Sequence, residues 1–158
     1  MNSPPPHMLV RRMIQADLNR VIEIAESLPQ APQWAASAYA KAIDPGTAPP
    51  RIALVATSSA DDAPLGFLVA TLIPPEAELE TIAVDADAQR RGVAGLLLRA
   101  LLNGLGNQHV KALILEVRAS NTRAINFYRQ NGLEVFARRP RYYANPQEDA
   151  VLMRLNLV

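Results

Sequence analysis

The sequence predicts a mixed α/β fold on one central sheet, and three observations carry that prediction. Segments with the two-residue period of strands alternate with segments of helical period, in the order β-α-α-β-β-β-α-β-α-β-β. The breaks between them are short and built from Pro, Gly, Asp and Asn. The chain has 158 residues, 49% of them hydrophobic, which is the size and composition of one domain that closes its own core without staples. About seven strands and about four helices are expected, in a single domain over residues 8–158. A Pro-rich tail at 1–7, expected to be disordered, precedes it.

Taken in order, residues 8–13 are expected as a first strand. Asp17 is placed to cap a helix over 18–28, with Leu18, Val21, Ile22 and Ala25 on one face. Pro29 and Pro32 stop that helix. A second short helix over 34–43 is closed by the Asp44-Pro45-Gly46 turn. Residues 51–57 are apolar and strand-like. Asp61-Asp62-Ala63-Pro64 has turn chemistry, and 65–73 returns as the hairpin partner. Beyond Pro74 and Pro75, residues 79–84 form another strand. The helix over 93–105 sets Ala94, Leu97, Leu98, Leu101, Leu102 and Leu105 on one face. A strand over 110–117 and a helix over 121–131 follow, with Gly132 where a left-handed C-terminal cap belongs. Segments 133–138 and 151–157 are expected as the closing strands.

Composition excludes several kinds of chemistry. The absence of cysteine removes disulfides, thiolate metal sites and a Cys nucleophile. The two histidines, His7 in the tail and His109 in a helix-to-strand loop, are too few and too scattered for a His-based triad or a His-rich metal site. A net charge of +1 argues against a bulk nucleic-acid binder. No apolar run reaches the length of a membrane span, and the start lacks the apolar stretch of a signal peptide, so the cytoplasm is the default expectation. Chemistry is left to carboxylates, tyrosines, backbone amides or a bound cofactor, with no metal.

The segment from Val84 to Gly95 joins a strand to a helix. Gly92 and Gly95 let the backbone turn and let a ligand approach closely. A helix start offers free N–H groups and partial positive charge, which suits a pyrophosphate, and Arg90 and Arg91 add charge. On glycine spacing alone, a plain strand-to-helix turn explains the segment equally well. No Gly-Lys-Ser/Thr follows, and the three-glycine spacing of a dinucleotide fold is missing.

Gln89-Arg90-Arg91-Gly92-Val93-Ala94 resembles the Q/R-x-x-G-x-G/A motif of the GNAT acetyltransferases. The resemblance implies the fold of that family, a mostly antiparallel mixed sheet splayed between strands 4 and 5. It also implies acetyl-CoA as co-substrate, with Arg90, Arg91, Gly92, Val93, Ala94 and Gly95 around its pyrophosphate. The preceding Thr81-Ile82-Ala83-Val84 looks like the family's bulged strand, whose backbone at Ile82, Ala83 and Val84 would pair with the pantetheine arm.

The stretch Leu115-Glu116-Val117 through Asn121 to Ala124-Ile125-Asn126-Phe127-Tyr128 and Asn131-Gly132-Leu133 is similar to a second GNAT signature, with Leu133 where Phe is usual. The tail, Arg138 through Tyr142-Tyr143 and Glu148-Asp149-Ala150 to Met153, resembles the family's ribosomal-protein-alanine N-acetyltransferases in particular. The resemblance runs from about residue 76 to 157. It implies an acceptor that is the N-terminus of a ribosomal protein of the S18 type, with no nucleic acid or membrane partner.

The residues themselves allow two readings each. In its strand, Glu116 shares a face with Ile114, away from Leu113, Leu115 and Val117. A carboxylate among apolar neighbours is costly unless partnered or useful, so it is either a general base for an incoming amine or one half of an ion pair with an arginine. Tyr128 is either a core aromatic or a general acid that meets the departing thiolate. Asn121 is a helix N-cap and, by resemblance, a cofactor contact. Without cysteine a Cys-linked acetyl-enzyme is impossible, and direct attack of the amine on the thioester in a ternary complex fits the residues better.

A terminal α-amine, with pKa near 7.7–8.0, is roughly a tenth neutral at pH 7, against less than about a thousandth of a lysine. A single-base site therefore favours an N-terminus. Tyr142 and Tyr143 are expected as an aromatic wall for a peptide. Glu76, Glu78 and Glu80 would attract a basic one if they face the groove, and the 138–143 segment is otherwise a solvated basic turn. A GNAT enzyme for a small-molecule amine or lysine, and a non-catalytic acyl-CoA-binding module, are the alternatives.

Overall fold

A computed structural model describes residues 7–157; residues 1–6 of the expected tail lie outside the described residues. Seven strands form one sheet: β1 (Met8–Arg12), β2 (Arg51–Ser58), β3 (Asp61–Ile73), β4 (Glu76–Val84), β5 (Ala112–Arg118), β6 (Glu134–Tyr143) and β7 (Glu148–Asn156). Four α-helices accompany them: α1 (Leu18–Ser27), α2 (Ala36–Ile43), α3 (Val93–Leu105) and α4 (Thr122–Gln130). The strand order is β1-β2-β3-β4-β5-β7-β6, and every neighbouring pair is antiparallel except β4 with β5.

Both faces of the sheet are covered. On one, Leu97, Leu98, Leu101 and Leu105 of α3 meet Leu68, Leu113, Leu115 and Met153, with Ile125 and Tyr128 of α4 in the same core. On the other, Val21 and Ile24 of α1 and Tyr39 of α2 pack on Val55, Phe67 and Val69. The α3 face follows from leucines at helical spacing, as the sequence predicts.

β4 changes faces part-way along. Val69 pairs with Thr81 but Ala70 pairs with Leu79, so Glu80 is an extra residue in the ladder. Because side chains alternate with period two, one extra residue reverses the facing of everything beyond it. Ala77 and Leu79 accordingly lie in the α3–α4 core, whereas Ala83 lies in the α1–α2 core, and Ile82 and Val84 turn to the α3 side. β4 and β5 pair only from Glu76–Ala112 to Glu78–Ile114. Beyond that point the strands part, which is the splay expected between strands 4 and 5.

Four local expectations are corrected. Asp17 does not cap α1 with its side chain. Its carboxylate instead accepts the Ile14 N–H at 2.9 Å and the Arg11 guanidinium at 2.8 and 2.9 Å, because a 3-10 turn at Gln15–Asp17 points it backward. The β2–β3 turn falls at residues 59 and 60, and Asp61 opens β3; the Asp61 side chain accepts the Ala63 N–H at 2.6 Å, making a bulge where a turn was expected. α2 begins at Ala36, and Trp34 packs its ring 5.1 Å from Tyr39. β6 runs on to Tyr143 through Pro140, which an edge strand tolerates because its outer N–H needs no partner.

Two glycines and one acid serve the frame. Gly66 lies where β3, β4 and the start of α3 meet: a Cβ there would sit 2.8 Å from the Ala83 carbonyl oxygen and 3.2 Å from Val93 Cγ1. Gly132, at φ +91°, closes α4 with Leu133 N–H on the Tyr128 carbonyl and Gly132 N–H on that of Arg129, both at 3.0 Å. For Asp17, burial works against the charge, but the Arg11 and Ile14 bonds outweigh it and hold the carboxyl below its ordinary value. A depressed pKa contributes stability that is present above the unfolded value near 3.9 and is lost as pH falls through the folded one.

Two outcomes follow for urea unfolding. Gly66→Ala should lose about 1–3 kcal/mol, because the β4 backbone at Ala83 cannot yield and the buried Val93 side chain closes the other side. Asp17→Asn should lose about 2 kcal/mol at pH 7, and its stability should fall less than wild type between pH 5 and pH 2. Parallel pH dependences in the two proteins would contradict the Asp17 assignment.

Candidate active site

β4 runs on past its last pairing with β5 into the turn that opens α3, and Glu78 and Glu116, close enough to interact by charge, stand on the two strands where they part. The N-cap of α3 is Gly92, whose φ of +81° is in the left-handed region, and no side chain caps the helix. The first-turn N–H groups of Val93, Ala94 and Gly95 have no partner within the helix. Nothing lies within 4 Å of where a Gly92 Cβ would be, so the approach to these amides is open. Gln89 fixes the turn by donating to the Val84 carbonyl at 3.1 Å. Arg90, Arg91 and Gly92 are exposed, while the Val93 side chain is buried in the core. These residues suit an extended anionic ligand: open amides at a helix start, two free-standing arginines, and a strand edge beside them.

α4 supplies the opposite wall. Asn121 is its N-cap, accepting the Ala124 N–H at 3.2 Å. Tyr128 is 8% exposed. Burial, and secondarily Tyr143, push its pKa well above the ordinary phenol value, so it stays protonated as a donor throughout the physiological range.

Glu116 lies on the other face of β5, as its alternation predicts, with its side chain 21% exposed. Arg139 of β6 pairs with it at 3.2 Å, so the ion-pair reading is realised in the free protein. The Arg139 guanidinium also lies 5.5 Å from the centre of the Tyr142 ring. Of the three β4 acids expected to attract a basic peptide, two are already engaged. Glu76 pairs with Arg154 at 2.7 Å, and Glu80 accepts the Thr71 hydroxyl and lies 3.7 Å from Arg51. Glu78 alone joins Glu116; burial, then the charges of Glu116 and Glu80, raise its pKa, with Arg139 opposing. The cluster therefore holds two carboxylates against one guanidinium and has room electrostatically for another cation.

The topology places Ile82 and Val84 on the stretch of β4 beyond its pairing with β5, Gly92, Ala94 and Gly95 at the start of the helix that follows it, Glu116 on the stretch of β5 beyond its pairing with β4, and Asn121 and Tyr128 on the helix after β5. Ala83 faces away into the α1–α2 core, leaving only its main chain for the gap. Sequence reasoning passed over Gly66, and quoted Gln89 in the motif without giving it a role. A lone glycine inside a strand was the available signal for Gly66. Among the described residues no three acidic or histidine side chains are grouped to hold a metal, and no helix is long and apolar enough to cross a membrane.

Comparison with known proteins gives a consistent neighbourhood. The acetyltransferase (GNAT) family matches residues 18–133. The [ribosomal protein bS18]-alanine N-acetyltransferase of Salmonella typhimurium is 42% identical over 99 residues, 61% of this chain and 67% of that protein. Its Escherichia coli namesake is 41% identical over 91 residues, which span only 62% of the relative's length. The crystal structure of the ribosomal-protein-S18-alanine N-acetyltransferase from Escherichia coli superposes with a TM-score of 0.82 at 29% identity, covering 95% of this chain and 94% of that one.

The cluster can be tested without any substrate. The Glu116 carboxylate, first by hydrogen bonding, and then burial hold the Tyr142 phenol above its ordinary pKa. In Glu116→Gln, Tyr142 should titrate closer to about 10. Tyrosine-ring NMR across pH 8–12 reads this directly; an unchanged Tyr142 titration would separate the two groups.

Proposed function

The chain belongs to the acetyltransferase (GNAT) family, and on that premise we propose that it transfers the acetyl group of acetyl-CoA to the N-terminal α-amine of a protein, with the alanine N-terminus of ribosomal protein S18 as acceptor and the cytoplasm as its setting. The observation that supports this best is the splay itself: β4 and β5 stop pairing after Glu78 and Ile114, β4 leads on into an uncapped helix start, and Glu78 and Glu116 interact by charge where the strands part. Relatives that are 42% and 41% identical to this chain over 99 and 91 residues carry that activity in their names.

In this reading Arg90, Arg91, Gly92, Ala94 and Gly95, with the amide of Val93, hold the pyrophosphate. The main chain of Ile82, Ala83 and Val84 pairs with the pantetheine arm, and Asn121 contacts the cofactor from the α4 side. Acetyl-CoA supplies an activated thioester. Glu116 takes the proton from the incoming amine at a carboxylate oxygen, after the ammonium has replaced Arg139 as its partner. Tyr128 donates its hydroxyl hydrogen bond to the developing thiolate. Its raised pKa makes complete proton transfer to a thiolate near 8.5 uphill in isolation, so its contribution is chiefly that bond.

Four outcomes test the reading. Gly92→Val should raise the acetyl-CoA Kd at least about tenfold, because a β-branched residue is strained at positive φ and fills the open approach. Glu116→Gln should lower kcat roughly 10²-fold with acetyl-CoA affinity kept, and Tyr128→Phe should lower kcat with stability kept. Peptides beginning with Ala, Ser or Met, and one with an internal Lys and a blocked terminus, should be incubated with acetyl-CoA and the acetyl group located by mass spectrometry. Modification of the Ala terminus is expected. Acetylation confined to the lysine side chain would overturn the acceptor and leave the acetyl transfer.

A further inference from the structure

The β6–β7 hairpin carries Arg139, Tyr142 and Tyr143, and the Glu148 carboxylate is its one side-chain acceptor that binds both Arg118 and the β5–α4 turn among the described residues. Arg118, the last residue of β5, places its guanidinium 4.4 Å from the centre of the Tyr143 ring. It donates to the carbonyls of Ala144 and Pro146 at 3.4 and 3.3 Å, and pairs with Glu148 at 3.4 Å. The other Glu148 oxygen accepts the N–H of Ser120. Ser120 directly precedes Asn121, whose own N–H bonds the Arg118 carbonyl at 3.0 Å while its side chain caps α4.

The neighbouring acid fastens the base of the same hairpin. Asp149 accepts Arg138 Nε and the Arg141 N–H, both at 3.0 Å, and its carbonyl takes the Ala119 N–H at 3.1 Å. Glu148 is thus bonded on one side to the segment that carries Asn121, and on the other to the cation under Tyr143. The Ser120 bonds, then Arg118, hold its carboxyl below the ordinary value, so it is charged at neutral pH.

We infer that Glu148 is a positioning residue that couples the two substrate sites, so that ordering the Ser120–Asn121 turn for acetyl-CoA also sets the Tyr142–Tyr143 wall for the acceptor. This rests on the acceptor reading above. A coupling of this kind is reciprocal: each ligand must tighten the other by the same factor. Glu148→Gln keeps an oxygen for the Ser120 N–H and removes the charge that holds Arg118, so it loosens the hairpin without opening the turn.

The test measures binding of an Ala-starting peptide by calorimetry with and without saturating CoA, in wild type and Glu148→Gln, beside steady-state kinetics and melting. In wild type, CoA should tighten the peptide at least about fivefold; in Glu148→Gln that factor should fall below about twofold, with CoA affinity itself nearly unchanged. The peptide KM should rise about tenfold while kcat stays within about threefold. A wild-type coupling factor in Glu148→Gln overturns the inference. So does equal weakening of both ligands together with a large fall in Tm, which marks a merely structural contact. Should Glu148→Gln fail to fold, Arg118→Lys, which keeps the charge and loses the planar fork, must show the same loss of coupling. Wild-type turnover of the peptide, run alongside, separates the two claims: no terminal acetylation by wild type sinks the acceptor reading and this inference with it, whereas normal turnover with coupling intact in the variant sinks this inference alone.

Discussion

β4 beyond Glu78 has a hydrogen-bonding neighbour on only one side, because β5 leaves the ladder after Ile114. Backbone N–H and C=O groups inside a sheet must be paired with something, and here the partner has to be water or a ligand strand. The bulge at Glu80 sets what that edge presents, since it turns Ile82 and Val84 toward α3 and sends Ala83 into the opposite core. Gly66 then lets α3 start close against β3, which brings the amides of Val93, Ala94 and Gly95 to the end of the same gap. Remove the splay, and the open helix start, the strand edge and the carboxylates no longer share a space.

Charge in this region is arranged for exchange. Glu116 and Glu78 are half-buried neighbours, and two carboxylates this close are tolerable only with a cation between or beside them. Arg139 fills that place in the free protein, from a strand that lies at the sheet edge with little packing of its own. Its side chain is 55% exposed, so the pair with Glu116 is weak enough for an amine to replace. Tyr128, by contrast, is fixed in the core under α4, where burial keeps its proton on. The proposed amine-to-thioester transfer uses this exposed cation on one face of β5 and the buried phenol beyond the other.

How far the sequence disclosed this depends on the range of the forces involved. α3 and α4 were legible because leucine spacing, the Asn121 cap and the Gly132 terminator act within a few residues. Gly92 and Asn121 were legible for the same reason, helped by the resemblance. Asp17 misled, because its choice between capping α1 and reaching back to Ile14 depends on Arg11 and on a 3-10 turn that leaves no period in the sequence. Asp61 misled because an Asx-type bond makes a bulge as readily as a turn. The fates of Glu76 and Glu80 depended on Arg154, Thr71 and Arg51, which the sheet register alone brings near. Alternation gave the face of Glu116, but its tie to Arg139 comes from strand order, which no local pattern encodes.

The central claim is that the parted edge of β4 and the start of α3 form one ligand-binding strip. Amide hydrogen exchange with and without CoA measures this most directly, because protection reports where backbone groups acquire partners. The account predicts that saturating CoA slows exchange in residues 82–84 and 92–95 and at Asn121, and leaves β1 and β2 unchanged. Protection confined to other segments, with residues 82–84 and 92–95 exchanging as in the free protein, would contradict it.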